Sequence, residues 1–342
     1  MTHKERILAA IDHKPTDRTP IWLGCPHGDS QAGLFAHFGV TSTLDLQTAI
    51  DDDMRWFPAC WKHPDGLPGL DPMGGKPKKS HNQPGIFANT TDVAEVERAY
   101  WPDPQYADVE GNRRAIEPWK DTHAIFGGVW APFFHVVGDY FGMDNYFVKM
   151  YTDPAVVEAV TDHVVNYYLG VNEIIFSELG DVIDVCFFGN DFGTQINTFV
   201  SPEMFRKFIL PSFRRITDQA HSYGLKVALH SCGSVHGVIP DLIDAGVEAL
   251  HPIQAKASNM EAVRLKREFG NDLCFIGGID TQELLSHATP DEVRAEVRRI
   301  IDVFETAIVI SPSHEAILPD VPPANIEAMF DEARRYRSAQ TP

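Results

Sequence analysis

A (β/α)8 TIM barrel with an irregular elaboration in its N-terminal third is the fold this sequence predicts, as a single domain over 1–342. Three observations predict it. Short apolar runs alternate with amphipathic helical stretches from residue 120 onward, the pattern of a parallel sheet covered on both faces. The chain of 342 residues, with this many repeats, suits a closed barrel better than an open doubly wound sheet. No Gly-x-Gly-x-x-Gly follows the first strand, which weighs against a dinucleotide-binding fold.

The elements follow in order. Thr2 suits the N-cap of a helix over 4–11 that stops before Pro15. Residues 19–24 read as a strand running into a glycine turn. From 50 to 120 the periodicity is lost, with Trp56, Trp61, Trp101 and Trp119 scattered among Pro and Gly. Strands are then expected over 123–129, 182–189, 226–229, 248–253, 273–278 and 307–310. Helices are expected over 154–178, 202–223, 240–245, 260–269, 291–305 and 324–335. The aromatic segment 133–142, which follows a strand, reads as the lining of an apolar pocket, with Tyr140 as a substrate contact, or, ring by ring, as core packing.

With 29 Lys and Arg against 48 Asp and Glu, the net charge is -19. That excludes nonspecific nucleic-acid binding, which needs a basic surface, and disfavours an anionic membrane. No apolar run approaches the roughly 18–20 residues of a membrane span, and the first residues lack the apolar core of a signal peptide. Five widely spaced cysteines, an odd number, make a poor disulfide framework. A cytoplasmic protein with reduced thiols is expected.

The chemistry is expected at the C-terminal ends of the strands. Asn190 and Asp191 follow one apolar run, with Gln195 beyond; His230 and Cys232 follow the next. His251 and Gln254 lie at the end of the third, Asp280 of the fourth, and Ser313, His314 and Glu315 of the fifth. Asn, Asp and Gly are ordinary turn formers after strands, which accounts for Asn190 or Asp280 but less readily for His-x-Cys or His314-Glu315. His-x-Cys at a strand tip offers nitrogen and sulfur to zinc, and a catalytic zinc needs about three protein ligands and an open position. His314 is the expected third ligand. Glu315 competes with it, or acts catalytically by orienting a metal-bound imidazole. Asp191 reads as a general acid–base group or an anchor; Asn190, Gln195, His251, Gln254 and Asp280 read as substrate contacts.

The chain resembles the uroporphyrinogen decarboxylase superfamily over nearly its full length. The similar segments are 4–11 with Asp17-Arg18-Thr19-Pro20, Asn190-Asp191, His230-Ser231-Cys232-Gly233, Gly277-Gly278-Ile279-Asp280, and Pro322-Pro323-Ala324-Asn325-Ile326. The resemblance implies a (β/α)8 barrel and one of two branches. The decarboxylase branch carries an arginine-rich motif after the first strand, where this chain reads Trp22-Leu23-Gly24-Cys25-Pro26-His27-Gly28-Asp29. The other branch contains corrinoid-dependent methyltransferases, some of which bind zinc through His-x-Cys and a later Cys. His230 and Cys232 match the pair, and His314-Glu315 stands roughly where the later Cys would be. A zinc-dependent methyltransferase is therefore expected, with cobalamin carried on a separate corrinoid protein. A small molecule, such as an aryl methyl ether, would be the methyl donor or acceptor. A homodimer is the expected assembly, and a decarboxylase or lyase acting on a carboxylated substrate is the alternative.

Overall fold

The computed structural model describes residues 1–64, 66–314 and 316–336; Glu315 lies outside them. Seven parallel strands pair in sequence order: β1 (Met54–Trp56), β2 (Ala124–Gly127), β3 (Val185–Gly189), β4 (Lys226–His230), β5 (Ala249–Ile253), β6 (Cys274–Ile279) and β7 (Ile308–Pro312). Helices follow most strands, as parallel crossovers require. The two edges of the sheet meet a common segment. Trp22 N–H donates to Ile310 O at 3.0 Å, Ile310 N–H to Pro20 O at 2.9 Å, and Asp53 N–H to Ile21 O at 3.0 Å.

That segment was expected to be a full strand over 19–24, but only Ile21 forms a bridge, to Ile310. The reason is where its donors go. Pro20 has no N–H. The N–H of Ile21 donates to Asp53 Oδ2 at 2.8 Å, and that of Leu23 to Asp52 Oδ2 at 2.9 Å. β1 itself falls in the stretch where sequence periodicity fails. The aromatic stretch after β2 is a helix, Phe133–Phe141, rather than a pocket wall. The helix expected over 202–223 carries a π-helical turn at Phe205–Ile209, next to Pro211, whose missing N–H leaves a gap in the helical ladder.

Side chains alternate across each strand, so the sheet has two cores. Ala124, Phe126, Val185, Phe187, Ala228, Ala249, Cys274, Ile276 and Val309 form one cluster, joined by Trp22, Met54 and the helix His3–Ile11. Their strand neighbours, such as Ile125, Cys186, Phe188, Leu229 and Phe275, belong to the larger cluster shared with the surrounding helices. The first cluster is therefore the inner face. Helix His3–Ile11 packs Ile7, Ala10 and Ile11 against it from the end where the strands begin, and its Lys4 amine pairs with Asp184 at 2.7 Å.

Asp53 fastens this end. Its fully buried carboxylate takes Arg6 and Arg18, each at 2.6 Å, and His3 at 2.9 Å. Burial alone would raise its pKa; the hydrogen bond from His3 and the charges of Arg18 and Arg6 hold it below the ordinary carboxylate value. Removing it with Asp53→Ala strands two nearly buried guanidiniums, so urea unfolding is expected to show a loss of about 3–5 kcal/mol at neutral pH. Because the folded-state pKa is depressed, this contribution is present above about pH 4 and fades as pH falls. The difference between wild type and variant should shrink on acidification; a difference that grows would refute the assignment.

Candidate functional site

The inner-face alternation fixes which residues meet at the strand ends. Phe187 points inward on β3, so two steps on are Gly189 and then Asp191. Ala228 points inward on β4, so His230 and Cys232 follow; Ala249 on β5 is followed by His251. Gly189 pairs with His230 and His230 with His251 in the sheet register. Register and alternation thus set Asp191 beside Cys232, one layer above a His230–His251 pair.

The distances follow. His230 Nε2 lies 3.2 Å from Asp191 Oδ1 and 3.3 Å from Cys232 Sγ. These three ligand atoms lie within 4.8 Å of one another and form the group among the described residues that could hold a metal ion. His230 Nδ1 is 2.9 Å from His251 Nδ1. Backbone bonds hold the arrangement. Cys232 N–H donates to Asp191 Oδ1 at 2.8 Å, Ser231 N–H to His251 O at 2.7 Å, and Gly233 N–H to Gln254 Oε1 at 2.8 Å. Ser231 Oγ accepts from Phe192 N–H at 3.0 Å. Gly233 has φ +87°, and a Cβ there would lie 2.5 Å from the Gly193 backbone, so the β3 and β4 loops touch only because this residue is glycine.

Burial would raise the Asp191 carboxyl, but the hydrogen bond and charge of His230 and the Cys232 N–H hold it well below the usual carboxylate range. His251 is fully buried, which drives its pKa well down; the charges of His230 and His314 act in the same direction. It is therefore a neutral imidazole.

The other sequence candidates fall in three places. His314 is not in the Asp191–His230–Cys232 group; it lines an adjacent cavity of about 390 Å³ with Gln195, Gln254, Lys256, Asp280 and Ser313. Among the described residues the third member of the group is Asp191, from the end of the adjacent strand β3; Glu315 lies outside them. Asn190 and Asp280 are committed to the backbone. Asn190, 1% exposed, accepts from Phe134 N–H and donates to Ala131 O. Asp280 caps the turn that follows it, taking the N–H groups of Gln282, Glu283 and Leu284. Tyr140 is in the core: it stacks on Phe87 and its hydroxyl accepts from Asp71 N–H at 3.2 Å. It is a packing residue, not a wall of either cavity.

Sequence reasoning did not name a second cavity, of about 230 Å³, lined by Trp22, Cys25, Trp56, Trp130, Phe187, His230 and His251. The alternation rule would have found it: Trp22, Trp56 and Phe187 share the inner face with His230 and His251. Gly189 makes the room, since a Cβ there would lie 2.2 Å from the Trp130 ring. His135 was also not singled out. It is half-buried near Asp191, with a buried Nδ1 that has no partner among the described residues, and desolvation lowers its pKa.

The family described as Uroporphyrinogen decarboxylase (URO-D) matches residues 73–336. Among curated relatives, "Methylcobamide:CoM methyltransferase MtbA" of Methanosarcina mazei is 21% identical over 62% of this chain and 58% of its own length. "Methylated-thiol--coenzyme M methyltransferase" of the same organism is 25% identical over 52% of this chain and 46% of its own. The matched segment thus spans about half the length of these methyltransferases. "Uroporphyrinogen decarboxylase" of Chloroherpeton thalassium is 22% identical over 99% of this chain and 100% of its own. A solved structure titled "methyltransferase from Methanosarcina mazei" superposes with a TM-score of 0.64 at 19% identity, covering 97% of this chain and 98% of that one. No helix among the described residues is long and apolar enough to cross a membrane.

The role found for Asn190 has a measurable consequence. Asn190→Ala leaves the Phe134 N–H buried without its acceptor, at a cost of about 1–3 kcal/mol, while the Ala131 carbonyl keeps the Phe133 N–H at 2.7 Å. Urea denaturation should therefore show a loss of about 1–3 kcal/mol. A neutral result would mean that the side chain does not tie the two loops together.

Proposed function

The chain belongs to the uroporphyrinogen decarboxylase (URO-D) family, and from that premise we propose that it lies in the branch of corrinoid-dependent methyltransferases, as the similarity to methyltransferases supports, and is a zinc-dependent enzyme moving a methyl group between a small molecule and a separate corrinoid protein. The observation that carries this reading is the Asp191–His230–Cys232 group. Oxygen, nitrogen and sulfur donors are what zinc accepts, and three protein ligands leave the fourth position for a reactant. Tetrahedral bonds of about 2.0–2.3 Å require ligand atoms about 3.3–3.7 Å apart, close to the 3.2 and 3.3 Å measured from His230 Nε2. The residues present fit the ion.

In this reading Asp191 Oδ1, His230 Nε2 and Cys232 Sγ hold the zinc, and Asp191 is a ligand before it is an acid or base. When bound there, zinc supplies a Lewis acid and lowers the pKa of a coordinated thiol or water. The protein does the rest by positioning. His251 fixes the His230 ring from behind, as the outer partner of a metal-bound imidazole does. Gln254 holds the Gly233 N–H and so the Cys232 loop. The 390 Å³ cavity, with Gln195, Gln254, Lys256 and His314 on its wall, is of a size for a small reactant. The closure of β7 and β1 through residues 20–22 supports a full (β/α)8 barrel, whose mouth is where a corrinoid domain would dock. We place the protein in the cytoplasm. Segment 133–142 is core; support for an aryl methyl ether as methyl donor comes from Trp22, Trp56, Trp130 and Phe187 around the second cavity.

Metal analysis tests the site. Wild type should hold one zinc, and Asp191→Ala, His230→Ala and Cys232→Ala should each weaken it by more than about 100-fold, whereas His314→Ala should not. Full occupancy in the first three variants would remove the zinc site. Function is tested by adding a Co(I) corrinoid protein with ether, amine and thioether methyl donors and following the cobalamin spectrum. A spectrum unchanged by every donor, with metal-independent carbon dioxide release from a carboxylated compound, would replace methyl transfer with decarboxylation.

A further inference from the structure

One stretch of this acidic chain runs against its charge. Residues 72–91 contain three lysines, Lys76, Lys78 and Lys79, and no Asp or Glu, in a chain with a net charge of -19. The segment is fastened to the helices that follow β2. Met143 N–H donates to His81 O at 2.8 Å and Phe87 N–H to Tyr140 O at 2.9 Å, which ties it to helices Phe133–Phe141 and Met143–Thr152. The Asp139 carboxylate takes Lys78 at 2.6 Å and His81 at 2.9 Å. Lys76 and Lys79 are exposed, and neither has an ion-pair partner among the described residues. Their charge is open to a group outside the chain.

An apolar surface adjoins the lysines, and ring contacts trace it. The His81 ring lies 5.5 Å from His135, His135 lies 6.2 Å from Phe199, and Phe199 stacks on Phe147 at 6.3 Å. Phe147 belongs to helix Met143–Thr152, where Tyr151 lies four residues on and Val148 three residues before Tyr151, so the three share a face. Tyr151 is 74% exposed and Val148 56%. Phe199 closes a hairpin by donating its N–H to Phe192 O at 2.9 Å, and Ile196 within that hairpin is 76% exposed. The same hairpin reaches the candidate metal group. Ser234 N–H donates to Thr194 O at 2.7 Å, and Gly233, next to Cys232, packs on Gly193. Lysines, exposed apolar side chains and the metal group therefore share one rim of the sheet, at the ends of β2 to β4. Clustered exposed apolar side chains with a polar border are the mark of a protein contact, and tyrosine is enriched in such contacts.

We propose that this rim is where the corrinoid protein docks, with carboxylates of that partner meeting Lys76 and Lys79 and its apolar surface covering Tyr151, Val148 and Ile196. The assignment rests on the methyl-transfer reading and adds to it the surface and the charge of the partner. Charge favours the carrier over a second copy of this chain. Two chains of net charge -19 repel one another, whereas a carboxylate-bearing carrier is steered to a lysine-rich segment beside the metal group.

The test uses the zinc-loaded full chain and the corrinoid protein that takes methyl in the cobalamin assay, with free cob(I)alamin as an acceptor that needs no docking. Lys76→Glu combined with Lys79→Glu should raise the KM for the corrinoid protein about tenfold. It should also flatten the rise of that KM with salt between about 50 and 300 mM, where exposed charges become screened. Tyr151→Ala should raise the same KM several-fold and keep the salt dependence. Neither change should alter the rate with free cob(I)alamin or the metal content. A KM unchanged in both variants, a double variant as salt-sensitive as wild type, or transfer to free cob(I)alamin but to no corrinoid protein would overturn the docking assignment alone. So would a wild-type dimer in sedimentation that Tyr151→Ala separates into monomers, because a second copy would then cover the face. No transfer to any acceptor would remove the methyl-transfer reading and the docking assignment with it.

Discussion

The two-residue period of the strands governs the chemistry of this protein. Every side chain in the candidate metal group, and Trp56, Phe187, His230 and His251 of the aromatic cavity, descend from inward-facing rows: Val185–Phe187–Gly189–Asp191, Ala228–His230–Cys232, Ala249–His251 and Met54–Trp56. Below the strand ends the inward rows are filled with Ala, Val, Phe and Ile and pack as a dry core. At the strand ends the same rows carry acid, imidazole and thiol. A one-residue slip of β4 against β3 would send His230 to the helix-facing side and break the contact with Asp191. Register is therefore a condition of the site, and Gly189, whose missing side chain admits the Trp130 ring, belongs to the same geometry.

The opposite end of the sheet secures that register electrostatically. Asp52 and Asp53 take the Ile21 and Leu23 N–H groups that a neighbouring strand would otherwise bind, and Arg6 and Arg18 neutralise Asp53. Asp52, fully buried, has its pKa pushed up to about 7 by desolvation, against the opposing charge of Arg55 and the N–H groups of Leu23 and Met54. Carboxylates acting on backbone N–H groups explain why residues 19–24 form a bridge rather than a strand. They also explain how an irregular segment touches both β1 and β7.

Much of the fold was legible because parallel strands buried on both faces are apolar runs with abrupt ends. β3 to β7 all lie within or overlap the expected segments. β1 was not legible, since three residues reading Met-Arg-Trp offer no periodicity; Arg55 is buried there against Trp119. In the site, His230 and Cys232 stood out by residue type, and Asp191 by position. What sequence spacing did not convey was neighbourhood. Residue type points to His314 after the last strand as a third ligand, whereas the register of β3 on β4 puts Asp191 beside Cys232. Residue type misled at Asn190 and Asp280, because a polar group at a strand end serves equally to cap backbone. Tyr140 misled for a different reason. Its helix packs seven of nine residues into the core, so an aromatic-rich stretch reported packing rather than a binding wall.

A buried histidine pair is an expensive way to fill space beside a metal site. His251 loses its solvation and, with one nitrogen unpartnered, is not repaid by hydrogen bonds within the chain. A leucine or phenylalanine would pack against Trp22 and Phe187 without that penalty. What the imidazole offers, and a hydrocarbon lacks, is the ability to take a proton's position from one side and present it on the other.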